Sequence, residues 1–168
     1  MTQTVLKNEI TELAPRTWMD ADQRKEIAEG VANVLADEYR LLVNTQGLHW
    51  NVEGPMFYSL HKLTEDHYRE LFDSTDVLAE RIRALGLPAP QSIRELSERS
   101  VLADLPDNAE LEGRIERLVE DYERAARRAA QLIELAESNK DVKTADMLTE
   151  RIGIYEENAW MLRATIAS

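Results

Sequence analysis

The chain contains no cysteine, which excludes disulfides, thiolate nucleophiles and cysteine-bound zinc at once. Any metal must be held by carboxylate, imidazole, carbonyl or water. Glycine (6) and proline (5) are scarce among 168 residues and aromatics make up 6%, a composition unlike that of an all-β or disordered chain. No apolar run approaches the roughly 20 residues of a membrane helix. The segment Met1 to Arg16 lacks the basic-then-apolar layout of a secretion signal, so the expected location is cytoplasmic. There is no internal repeat, and no G-x-x-x-x-G-K or G-x-G-x-x-G loop to cradle phosphate. Positive charge is short as well: 20 Lys and Arg stand against 32 Asp and Glu, a net charge of -12. Such a surface repels nucleic acid unless its basic residues are gathered into a patch or tail, and it suits a protein that attracts cations.

What is present is 43% hydrophobic and 31% charged, enough for one domain with a sizeable core. Residues 1–16 read as a flexible tail and 17–168 as the folded domain. Asp20 is a plausible N-cap for a first long helix carrying Ile27, Val31, Val34, Leu35, Leu41, Leu42 and Leu48 at helical spacing. It ends before the turn signal Gly54-Pro55. A second helix runs from about Met56 to Leu85 and stops at Gly86, with Pro88 just beyond. Ser92-x-x-Glu95 opens a short helix, and Asp107-x-x-Glu110 offers a capping box for a third long helix to about Ser138. A fourth runs from near Asp141 to the C-terminus. The expected fold is therefore all-α: a four-helix bundle of the ferritin-like layout, with a short extra helix in the long crossover between the second and third long helices.

The chemistry sits on the second helix. At about 100° per residue, His61 and Glu65 are close in angle, as are Asp76 and Glu80, and all four share one stripe. His67 falls on another face and reads as a surface or edge histidine. The 15 residues from His61 to Asp76 advance about 22 Å along the axis, too far for one ion, whose ligands lie about 2.0–2.2 Å away. A metal centre inside one bundle would need Glu-x-x-His motifs, but Gln46, Tyr58 and Thr64 stand three residues before the histidines. Two copies packed antiparallel about a two-fold axis would bring His61 and Glu65 of one opposite Asp76 and Glu80 of the other, twice over. His49, beside the tight turn, could join them, and mixed imidazole and carboxylate ligands with open positions suit Fe(II). The same residues also fit a plain helix surface, with His61 and Glu65 as an i,i+4 pair and Glu80 paired to Arg83. Spacing alone does not choose between the two.

His49-Trp50-Asn51-Val52, Gly54-Pro55, Phe57-x-x-Leu60-His61, Asp76-x-x-Ala79-Glu80-Arg81, Thr144-Ala145-Asp146-Met147-Leu148 and Trp160-Met161-Leu162-Arg163 together resemble the signature of the Dps mini-ferritins, over about residues 20–165. The resemblance implies a hollow dodecamer built from two-fold dimers that oxidises Fe(II), with hydrogen peroxide preferred over dioxygen, and stores ferric mineral, protecting against oxidative damage. It implies His49, His61 and Glu65 as iron ligands from one subunit, with Asp76 and Glu80 from its partner. Position 65 is often aspartate in that family, and glutamate reaches about one methylene further. Trp50 resembles the tryptophan beside the family's iron site, implying an electron donor there, with interface packing as the equal alternative. Asp141, Asp146 and Glu150 match positions that line iron-entry pores at three-fold axes, although Asp141 would serve equally at its helix N-terminus. A bacterial cytoplasmic location follows, in reach of the nucleoid.

The termini depart from the pattern. DNA-binding members carry lysine-rich tails, whereas residues 1–16 hold Lys7 and Arg16 against Glu9 and Glu12, and no basic residue follows Arg163. The alternative function, a nucleoid-condensing DNA-binding protein with incidental metal binding, is disfavoured on that ground.

Overall fold

The computed structural model describes residues 17–167, so the N-terminal tail expected over 1–16 lies outside the described residues. Within them are five helices and no strand: α1 (Ala21–Asn51), α2 (Phe57–Ala84), α3 (Ile93–Arg99), α4 (Leu111–Ser138) and α5 (Val142–Thr165). Helix α1 opens at Asp20, whose carboxylate accepts from Gln23 N at 2.9 Å while the Gln23 side chain accepts from Asp20 N. This reciprocal box satisfies two amides that no intrahelical carbonyl reaches. Two glycines sit where the chain needs left-handed backbone, Gly54 (φ 87°) between α1 and α2 and Gly86 (φ 97°) after α2, a conformation that costs other residues about 1–2 kcal/mol.

Helices α1 and α2 pack as one antiparallel pair and α4 and α5 as another, with α4 lying against α1. Leu35, Leu41, Leu60, Leu71, Leu78, Ile115, Leu118, Tyr122, Leu148, Tyr155 and Leu162 close the core between them. The crossover from Leu85 to Glu110 carries α3 and is tied down by Asp37, which is fully buried on α1. Its carboxylate accepts from Ser100 Oγ (2.7 Å), Val101 N (2.9 Å) and Arg128 Nη1 (3.0 Å) on α4. One buried charge thereby fixes three segments, each of its bonds charge-assisted.

Helix α4 begins at Leu111, and the predicted capping box at Asp107 does not form; Glu110 stands at the N-cap without a side-chain bond. Arg114 accounts for the difference. Its guanidinium donates to the carbonyls of Asp107 (2.8 Å) and Ala109 (3.3 Å), holding the segment after Pro106 as a turn and moving the helix start past it.

Candidate metal centre

The tight turn after α1 folds the start of α2 back along it and sets His49 against His61. Their rings stack with centroids 3.9 Å apart and planes 18° from parallel. His49 Nδ1 donates to the His61 carbonyl at 2.9 Å, and His61 Nδ1 donates to the His49 carbonyl at 3.1 Å. A carbonyl oxygen only accepts, so each Nδ1 carries its proton and Nε2 is the nitrogen left to bind a metal. Such an outer bond to Nδ1 orients an imidazole that binds metal through its other nitrogen. Phe57 stacks on His61 (5.1 Å), and Tyr68 meets His49 edge-on (5.1 Å), leaving neither ring free to turn.

Glu65 follows one turn after His61 on α2. Its carboxylate is bracketed by Lys62 Nζ at 2.8 Å and Arg69 Nη2 at 2.5 Å. The Lys62 hydrogen bond, with the Arg69 charge beside it, holds the Glu65 carboxyl below the ordinary carboxylate range. Asp76 and Glu80 are exposed further along the same helix. Arg83, which could have paired with Glu80, donates instead to the Leu87 carbonyl at 2.8 Å. Between the two polar pairs the stripe carries Phe72, 62% exposed. Because α2 is continuous from Phe57 to Ala84, the rise of about 22 Å between His61 and Asp76 stands. Among the described residues no three His, Asp or Glu side chains converge closely enough to hold an ion. The chain thus brings His49 and His61 together, places Glu65 one turn away, and keeps Asp76 and Glu80 remote.

The remaining sequence candidates divide. Trp50 is 69% exposed on the last turn of α1, beside His49. Asp146 and Glu150 are exposed on α5, with Asp146 paired to Lys143 at 3.3 Å. Asp141 is 2% exposed and caps α5: it accepts from Thr144 N (3.1 Å) and Oγ1 (2.5 Å) and pairs with Arg81 at 2.6 Å. The helix-terminus role weighed for it is the one its hydrogen bonds show.

His67 differs from expectation. It lies in the core, 3% exposed and edge-on to Tyr122 at 6.2 Å, and neither ring nitrogen has a hydrogen-bond partner among the described residues. Burial pushes its pKa down to about 4, with Asp66 opposing. A helical angle places a residue on a face but does not say which faces α4 and α5 cover, and here they cover this one.

Sequence reasoning also missed a charged network inside the bundle. Glu38 on α1 is fully buried and accepts from Ser74, Tyr155 and Arg151, the last at 2.8 Å; Arg151 also pairs with Glu70. Desolvation pushes the Glu38 carboxyl up while Arg151 pulls it down. Carboxylates from two helices do converge in the bundle, but a guanidinium fills the space between them. The available signal was a glutamate and an arginine at positions whose helical neighbours are mostly core.

Known proteins resemble this chain in sequence and in fold. Residues 29–168 match the ferritin-like domain family. The chain is 37% identical over 147 residues to an uncharacterised low temperature-induced protein of Nostoc sp., covering 86% of this chain and 82% of that one. It is 34% identical over 143 residues to DNA protection during starvation protein 2 of Bacillus anthracis, covering 83% and 96%. The crystal structure of a Dps protein from Vibrio cholerae O1, described as a member of a broad superfamily of ferritin-like diiron-carboxylate proteins, superposes with a TM-score of 0.85 at 26% identity over 94% of this chain and 99% of that one.

Proposed function

This chain belongs to the Dps family of ferritin-like proteins, and from that premise we propose that it oxidises Fe(II) at sites shared between two subunits and stores the ferric product in a hollow dodecamer. The observation that carries this reading is the mutual Nδ1-to-carbonyl locking of His49 and His61, which prepares two nitrogen ligands and supplies too few carboxylates to complete a site. Asp76 and Glu80 of the partner subunit complete it when the two α2 helices pack antiparallel about a two-fold axis. Two neutral imidazoles and three carboxylates leave coordination positions for water or oxidant, as Fe(II) chemistry requires.

Iron here is substrate. Hydrogen peroxide, the preferred oxidant over dioxygen, takes one electron from each of two Fe(II) ions and two protons, leaving two Fe(III) and two waters. Using both electrons avoids the hydroxyl radical that a single transfer releases. Trp50, exposed beside His49, is placed either to supply an electron or to be covered by the partner. Asp146 and Glu150, one turn apart and exposed on α5, are the pore residues placed to meet incoming iron; Asp141 is held at its helix end. No helix among the described residues is long and apolar enough to cross a membrane, and the proposed setting is the bacterial cytoplasm.

A shared site has a complementation signature. Fe(II) is loaded anaerobically, peroxide is added, and Fe(III) is followed by absorbance. His61→Ala and Asp76→Ala subunits should each lose rapid oxidation. Refolded together, they should recover about a quarter of the parent rate, because half of randomly formed dimers are hybrid and each hybrid has one intact site of two. If His61→Ala/Asp76→Ala oxidises iron as fast as the parent, the assignment fails; if the mixture recovers nothing, the split geometry fails.

A further inference from the structure

Glu65 differs from the other four ligands of the proposed site in already being engaged. Both of its oxygens are taken, Oε2 by Lys62 Nζ at 2.8 Å and Oε1 by Arg69 Nη2 at 2.5 Å. Along α2, with His61 as origin, Glu65 stands at about 40°, Arg69 at about 80° and Lys62 at about 100°. The two cations therefore lie on the flank of Glu65 away from the imidazoles. The side chain of Glu65 is 17% exposed, while those of Lys62 and Arg69 are 56% and 64% exposed. The cations cover the carboxylate from the solvent side, and His49, His61 and Glu65 do not converge as a three-ligand cluster.

We propose that Lys62 and Arg69 form a latch that parks the Glu65 carboxylate beside the metal site until a divalent cation draws it across. This rests on the reading of His49, His61, Glu65 and the partner's Asp76 and Glu80 as the iron site. Charge supports it. Lys62 and Arg69 offset the charge of Glu65, the one carboxylate that a lone subunit brings to His49 and His61, and so weaken its pull on Fe(II). The partner's two carboxylates add the negative charge that holds the ion, so the latch makes loading follow assembly. Its pairs are solvent-exposed and individually weak, as a latch that one ion opens must be. The longer arm of glutamate serves the motion, since a side chain that must reach both the flanking cations and the imidazoles needs the additional methylene.

The test uses the assembled protein and Co(II) alone, with no oxidant, read by titration calorimetry. Lys62→Ala/Arg69→Ala should bind Co(II) about tenfold more tightly than the parent. Raising NaCl from about 0.05 M to about 0.3 M should weaken the parent less than the variant, because salt loosens the latch while it screens the site. Equal affinities with equal salt dependence overturn the latch. If the parent binds Co(II) no better than His61→Ala/Asp76→Ala does, the metal-site reading itself fails and the latch falls with it.

Discussion

At the scale of single residues, hydrogen bonding separates the three histidines into two kinds. His49 and His61 each direct Nδ1 to a carbonyl and keep Nε2 for chemistry. His67 has the same functional group, buried and unpartnered, and an unmade hydrogen bond in a core costs about 1–3 kcal/mol. Replacing it with an apolar side chain of similar volume removes that cost, so His67→Leu should raise stability by about 1–2 kcal/mol, read as a higher urea midpoint at unchanged slope. A lower midpoint would mean that the imidazole is satisfied by internal water. The stripe that carries His61, Glu65, Asp76 and Glu80 was legible in the sequence because α2 is one uninterrupted helix. The locking of His49 to His61 was not, because it depends on how closely a turn of five residues, Val52 to Met56, brings two helix ends together.

At the scale of elements, helix ends govern what the chain can offer. Asp20 forms the full box its pattern predicts and Ser92 only half of one, since the Glu95 carboxylate accepts from Gln91 N; Asp107 does not cap, because capping signals are local and Arg114, seven residues on, competes for the same turn. Asp141 shows a cap doing more than ending a helix: its pair with Arg81 joins α5 to the segment of α2 that holds Asp76 and Glu80. Burial would push this carboxyl up, but the bonds from Arg81 and Thr144 hold it below its ordinary 3.8. The folded state therefore takes up its proton less readily than the unfolded state. The stabilisation is complete above about pH 3.8 and is lost as pH falls through the lower, folded value. Asp141→Ala should lose cap and ion pair together, about 2–4 kcal/mol at pH 7. Asp141→Asn should retain the cap and lose this acid limb; comparing urea unfolding at pH 7 and pH 3 checks both. An Asn variant with the parent's acid dependence would remove Asp141 as its source.

At the scale of the whole molecule, the proposed chemistry and the proposed assembly fall on the same helix face. Matching His61 to Glu80 and Glu65 to Asp76 across a two-fold axis puts that axis near residues 70–71 of α2, and Phe72 lies within two residues of it. An aromatic so exposed, at the centre of a stripe whose ends carry ligands, is placed as the packing residue of the dimer. Phe72→Glu changes no ligand, yet it should shift the protein from an assembly of about 230 kDa, twelve chains of 19.2 kDa, towards single chains, and abolish iron oxidation with it. Light scattering and the peroxide assay on the same sample decide this; a monomer that still oxidised iron would separate the two properties.

The interior of the bundle bears on when such a protein is ready for use. Glu38 and Glu70 both pair with Arg151, a cation the chain carries in its own sequence, so the space between the two carboxylates is filled without a metal. On the proposed reading, folding then asks for no iron, and the protein is complete before its substrate arrives.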